Sequence, residues 1–121
     1  METLYIGLGA TFGGMLRMFL GNTFNRGKAK FPHGTFIANT LGSFLIGIMG
    51  GLAMQHLVPS NYHLFIATGF CGSLTTFSTF SLEILCLVNR EKHIIVLLYI
   101  IGTALSCLAL SVLGVYLGGR I

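Results

Sequence analysis

FPHGTFIANTLGSFLIGIMGGLAMQHLVPSNYHLFIATGFCGSLTTFSTFSL, residues 31–82, runs for 52 positions without an Asp, Glu, Lys or Arg. A helix that crosses a bilayer needs about 20 mostly apolar residues. This run therefore holds two crossings, parted where Pro59, Ser60 and Asn61 cluster as a turn. To its C-terminal side, 27 further uncharged residues lie between Lys92 and Arg120 and hold another. To its N-terminal side, residues 3–24 form one more, interrupted only by Arg17. No basic segment precedes that first apolar stretch, so it does not read as a signal peptide.

The expected fold is all-α and integral to the membrane: four transmembrane helices in a single domain, 1–121. Composition agrees. Of 121 residues 8% are charged and 54% hydrophobic, with mean hydropathy +0.85, whereas soluble domains average about 25% charged. So little chain remains outside the spans that a soluble catalytic domain is excluded, and no enzyme activity is expected. The net charge of +4 does not point to nucleic acid, because the basic residues sit in short loops beside spans, where they anchor a membrane protein. Cys71, Cys86 and Cys107 fall inside spans without metal-ligand spacing and are expected to pack.

Helix 1 is expected from about Thr3 to Phe24, followed by the basic loop Asn25–Lys30. Pro32 suits the start of helix 2, which runs to about His56. Helix 3 covers about Tyr62 to Val88, with Ser60 or Asn61 as N-cap. The charged turn Asn89–His93 leads to helix 4, about Ile94 to Leu117. Pairs such as Gly9/Gly13, Gly47/Gly51 and Gly114/Gly118 make the GxxxG steps that let helix backbones approach closely in lipid. The early GLGATFG lacks the third-glycine spacing and the βαβ context of a dinucleotide fingerprint.

Polar side chains within a span face the protein interior or a water-filled path. Thr35, Asn39 and Ser43 are spaced by four on helix 2. Tyr99, Thr103 and Ser106 line one face of helix 4, and Thr75, Thr79 and Glu83 one face of helix 3. Phe77 and Phe80 share a neighbouring face. Six of the nine residues from Ser73 to Ser81 carry a hydroxyl, more than packing requires. Gly69, Gly72 and these hydroxyls predict a helix 3 broken near its middle, since Ser and Thr side chains compete for backbone groups. Broken backbone at membrane depth must be buried in protein or line a cavity. Free carbonyls there suit a hard cation such as Na⁺. Amide and hydroxyl donors without a deep carboxylate favour an anion, and a phenylalanine ring edge is a further positive donor.

Three segments carry a resemblance to a known family. GATFGGMLR (Gly9–Arg17) is similar to the pattern G-G-x-x-G-A-x-x-R-Y, departing with Ala10, Gly14 and Met18. PHGTFIANTLGSFLIG (Pro32–Gly47) resembles P-x-G-T-x-x-x-N-x-x-G-S-F-x-x-G, and GFCGSLTTFSTFSLE (Gly69–Glu83) resembles the most specific segment. Together they make the chain resemble the CrcB/Fluc fluoride channels over its whole length. The resemblance implies an antiparallel, dual-topology dimer with two pores. It implies fluoride export from a prokaryotic cell across the plasma membrane, passively and without catalysis. Phe77, Phe80 and Asn39 match pore positions, and Ser78 and Thr79 match hydroxyls beside the pore. Glu83 falls near a pore mouth, and Arg17 matches an arginine that attracts anions. Gly72 and Thr75 match the residues whose carbonyls hold a central structural Na⁺.

Two rival readings remain open to a four-span chain. A small exporter of the multidrug-resistance type needs a deep carboxylate in helix 1, which is absent, and commonly carries Trp, also absent. A non-conducting accessory subunit would use the polar stripes only as helix glue. Loop charge bears on assembly. Arg26, Lys28, Lys30, Arg90 and Lys92 lie on one side and Arg120 on the other, a bias that favours both termini outside. The subunit is therefore expected either to form a homodimer that tolerates the bias or to pair with an oppositely oriented relative.

Overall fold

The computed structural model describes residues 1–25 and 31–121. Among these no strand occurs. Four stretches are long and apolar enough to cross a membrane: Glu2–Phe24, His33–Met54, Ser60–Asn89 and His93–Gly118. At 1.5 Å per residue, the 22 residues of the second reach about 33 Å, the thickness of a hydrocarbon core. The first and second are continuous helices, α1 (Glu2–Phe24) and α2 (His33–Met54). The third is composite. A short α3 (Ser60–His63) continues as a π-helical run, Leu64–Cys71, and then as α4 (Gly72–Leu74); α5 (Ser78–Asn89) follows after an interruption. The fourth is α6 (His93–Gly118).

Boundaries differ from expectation by at most two residues, and one cap differs in kind. Neither Ser60 nor Asn61 caps the third span, which starts at Ser60 with Pro59 in the cap position and no side-chain bond. Helix α2 stops at Met54, and His56 turns the chain with φ 56°. The basic loop's Arg26, Lys28 and Lys30, on which most of the charge bias rests, lie outside the described residues.

The glycine steps are used as the sequence suggests. A Cβ on Gly51 would lie 2.5 Å from the Val115 carbonyl and 2.6 Å from the Gly119 amide, so α2 and α6 touch backbone to backbone. Gly9 and Gly13 bring α1 equally close to Phe65 and Phe70 of the π-helical run. Gly69 meets α1 from the other side, with the Gly9 Cα 3.0 Å from its notional Cβ. The enclosed core is small. Ala38, Leu74, Cys71 and Tyr99 are fully buried, whereas Leu98, Leu105, Leu108 and Val112 of α6 face outward. A lone soluble chain rarely exposes so large an apolar surface, and lipid accounts for it.

Candidate functional site

The third span is interrupted at Thr75–Phe77. Leu74 closes α4, Thr75 is extended at φ −74°, ψ 146°, and α5 begins at Ser78. The glycines do not make this break. Gly72 is helical at φ −60°, ψ −33° in open surroundings, and Gly69 serves the contact with α1. Hydroxyls do. Thr75 Oγ1 donates to the Cys71 carbonyl at 3.0 Å, alongside the Thr75 N–H at 3.0 Å. Thr76 Oγ1 accepts the Thr79 N–H at 3.3 Å and so satisfies one donor of the first turn of α5.

A broken helix leaves backbone groups to satisfy. In a continuous helix the Thr76 N–H would bond to the Gly72 carbonyl. Here it donates to Asn39 Oδ1 at 2.8 Å, and Asn39 Nδ2 donates back to the Thr76 carbonyl at 3.2 Å. The amide of Asn39, buried on α2, thus pairs with the two peptide groups on either side of the Thr76 Cα. Gly72's carbonyl is released from its helical bond in consequence.

Beside this pair lies a groove of about 410 Å³. Asn39, Ser43, Thr75, Thr76 and Thr103 supply its polar lining, and Phe77, Phe80, Ile100 and Cys107 its apolar lining. The Phe77 and Phe80 ring centroids are 6.1 Å apart, tilted by 39°. Phe77 is 78% exposed on the rim, while Phe80 turns inward against the Tyr99 ring at 4.9 Å. The Thr103 hydroxyl is buried without a hydrogen-bond partner among the described residues. Of the helix 4 stripe, Tyr99 and Thr103 are buried, and Cys107 rather than Ser106 lines the groove.

Glu83 is bound on both oxygens. Oε1 accepts from Thr35 Oγ1 at 2.7 Å and Asn25 Nδ2 at 3.0 Å, and Oε2 accepts from the Tyr99 hydroxyl at 2.7 Å. Asn25 Oδ1 also accepts the Gly34 N–H at 2.7 Å, so the end of α1 caps the start of α2. Three helices converge on this half-buried carboxylate.

A second cavity, about 360 Å³, is lined by Arg17, Asn22, Asn25, Thr35 and Thr79. Thr79 connects the two regions, because its hydroxyl accepts from Thr76 Oγ1 at 3.3 Å. Ser78 Oγ lies 3.3 Å from the same Thr76 oxygen. The sequence-selected residues Thr35, Asn39, Ser43, Thr75, Phe77, Ser78, Thr79, Phe80 and Glu83 therefore gather along one side of α2, with Arg17 at the neighbouring cavity. Gly72 stands apart, exposed.

Three residues carry more of this arrangement than the sequence suggested. Thr76 was visible only as one hydroxyl of a cluster, although Thr76-x-x-Thr79 has the spacing of a cap. Tyr99 stood out as a stripe member but not as the partner of Glu83. Asn25 looked like the first residue of a loop, and no local pattern announces a partner 58 positions away. Among the described residues no three His, Cys, Asp or Glu side chains come together to hold a metal.

Residues 4–115 match the model of a family described as CrcB-like protein, Camphor Resistance (CrcB). The chain belongs to the CrcB-like family. Within it, a protein of Acinetobacter baylyi named fluoride-specific ion channel FluC is 42% identical over 111 residues, 92% of this chain and 82% of that protein. One from Bacillus cereus, named fluoride-specific ion channel FluC 2, is 39% identical over 98% of both chains. An archaeal member, from Methanococcus aeolicus and again named fluoride-specific ion channel FluC, is 40% identical over 93% of this chain and 91% of its own. With four spans and this membership, the chain is a multi-pass membrane protein.

Proposed function

We propose that the chain is a fluoride-selective passive channel of a prokaryotic cell membrane, exporting cytoplasmic fluoride and so lowering its toxicity. The observation that carries this reading is the pair Phe77 and Phe80 on the edge of a groove whose polar lining is wholly neutral. A small anion entering hydrocarbon must replace its lost water. Hydroxyl and amide hydrogens do so one at a time, and ring edges add positive quadrupole density. The names of the relatives support the choice of fluoride among small anions.

Each side chain has a stated task. Arg17 raises the local anion concentration in its cavity. Thr35, Ser43, Ser78 and Thr79 offer hydroxyls along the way. Glu83 is held by three donors, which offset part of its negative charge. No catalytic step and no coupling proton are involved. The negative-inside membrane potential drives fluoride outward.

The working unit in this reading is an antiparallel homodimer whose second copy covers Phe77. The carbonyls of Gly72 and Thr75 are the proposed holders of a structural Na⁺ between the copies, which supplies fixed positive charge. The release of the Gly72 carbonyl by the Asn39–Thr76 pairing supports this, because carbonyl oxygen suits a hard cation.

The test is fluoride-electrode recording from proteoliposomes holding the purified chain. Valinomycin-triggered fluoride release is expected, with chloride retained. Folded protein that releases none overturns the reading; proton-driven uptake of an organic cation would replace it with an exporter. Inactive, monomeric protein would replace the homodimer with a pairing between this chain and an oppositely oriented relative.

A further inference from the structure

We propose that Asn39, besides lining the groove, clamps the Thr76 backbone and so is a positioning residue for Phe77 and Phe80. The inference rests on the channel reading above, and concerns what fixes its aromatic pair.

The interruption needs an external hold. Thr75 is extended, so the span cannot satisfy the Thr76 peptide from within. Phe77, next in the chain, sits at the cap position of α5. A rotation of either peptide group that flanks Thr76 would swing Phe77 and tilt the first turn that carries Phe80. Asn39 opposes that rotation at two points, accepting from the nitrogen and donating to the carbonyl of the same residue. A single hydrogen bond would leave Thr76 free to pivot; two hold both peptide groups that flank its Cα, as in a paired strand. Asn39 and Thr76 are both buried, so the contact is largely shielded although both residues also border the groove.

Thr76 completes the device through its side chain. Its oxygen accepts the Thr79 N–H, so the clamped residue also holds the first turn of the helix that bears Phe80. One buried amide on α2 thereby sets where α4 stops, where α5 starts and how the two rings stand to each other.

The experiment uses the full chain in lipid nanodiscs and liposomes, as wild type, Asn39→Ala and Asn39→Asp. Backbone hydrogen exchange is followed by mass spectrometry on peptides covering residues 72–80 and, as internal control, residues 93–118. The Asp variant keeps the shape and the acceptor but loses the donor, so it is the informative one if Asn39→Ala does not insert. Expected is at least tenfold faster exchange across 76–79 in Asn39→Ala, a smaller rise in Asn39→Asp, unchanged exchange in α6, and reduced fluoride efflux in both. Wild-type exchange across 76–79 in Asn39→Asp overturns the clamp, and lost efflux alongside it assigns the amide to the ion directly. Faster exchange with wild-type efflux overturns the link to the aromatic pair. Absence of efflux from the wild type defeats the channel reading alone, because the exchange arm still decides whether Asn39 holds Thr76.

Discussion

The Tyr99 hydroxyl donates to Glu83 Oε2 at 2.7 Å, which ties α6 to α5 below the groove. The same phenol ring stands edge-on to Phe31 at 5.2 Å and against Phe80 at 4.9 Å. One aromatic residue therefore joins the acidic hub to the inner member of the phenylalanine pair. Hydrogen bonds between membrane helices average about 0.6 kcal/mol and reach about 1.7, and one to a carboxylate belongs at the upper end. Tyr99→Phe should fold and assemble but melt several degrees lower in detergent, with fluoride efflux reduced. An unchanged melting midpoint would show that the bond contributes nothing.

Phe80→Ile preserves apolar bulk but removes the ring edge. Efflux should fall at least roughly tenfold, the factor that about 1.4 kcal/mol of lost stabilisation produces, while size-exclusion behaviour stays that of the wild type. Wild-type efflux in this variant would remove the aromatic pair from the ion's route.

Glycine contacts divide into crowded and open positions, and the two should respond oppositely to a methyl group. Gly51→Ala must push α2 from α6, since the nearest obstacles are backbone atoms at 2.5 and 2.6 Å. Overpacking of this kind costs about 1–3 kcal/mol. Gly7→Ala meets nothing within 4 Å and improves helix propensity by up to about 1 kcal/mol. Thermal melting of the two variants side by side tests the contrast.

Arg17 lies in the cavity with Asn22 and Thr79. If it concentrates anions there, Arg17→Gln should lower efflux several-fold in dilute buffer and much less near 1 M salt, where the screening length falls to about 3 Å. A salt-independent loss would mean that the guanidinium acts through packing.

Replacing all sodium by N-methylglucamine should slow efflux and weaken dimerisation, if the Gly72 and Thr75 carbonyls hold Na⁺. Potassium should restore neither fully, being too large for a site matched to sodium. Equal efflux in the two salts would exclude a sodium requirement.

The four spans were legible from hydropathy, and their bounds hold to within a few residues because apolar length against bilayer thickness is a local property. So were the glycine steps, whose role follows from spacing along one helix. The polar residues of α2, Thr35, Asn39 and Ser43, stood out because a polar group in an apolar run is itself a signal. The break in the third span was also foreseeable, with both glycines and hydroxyls as its expected causes. The Thr75 and Thr76 hydroxyls make the turn, whereas Gly69 packs against α1 and Gly72 is helical.

Partners could not be read in this way. Asn39 finds Thr76 across 37 positions, Thr35 finds Glu83 across 48, and Asn25 finds Glu83 across 58. Nothing in the local pattern distinguishes a Thr that meets a carboxylate from one that faces a neighbouring carbonyl. Hydropathy sums along the chain, so insertion into the membrane is written in any window of about 20 residues. A hydrogen bond needs two atoms within about 3 Å at a suitable angle, and only the packing of α1, α2, α5 and α6 brings those atoms together.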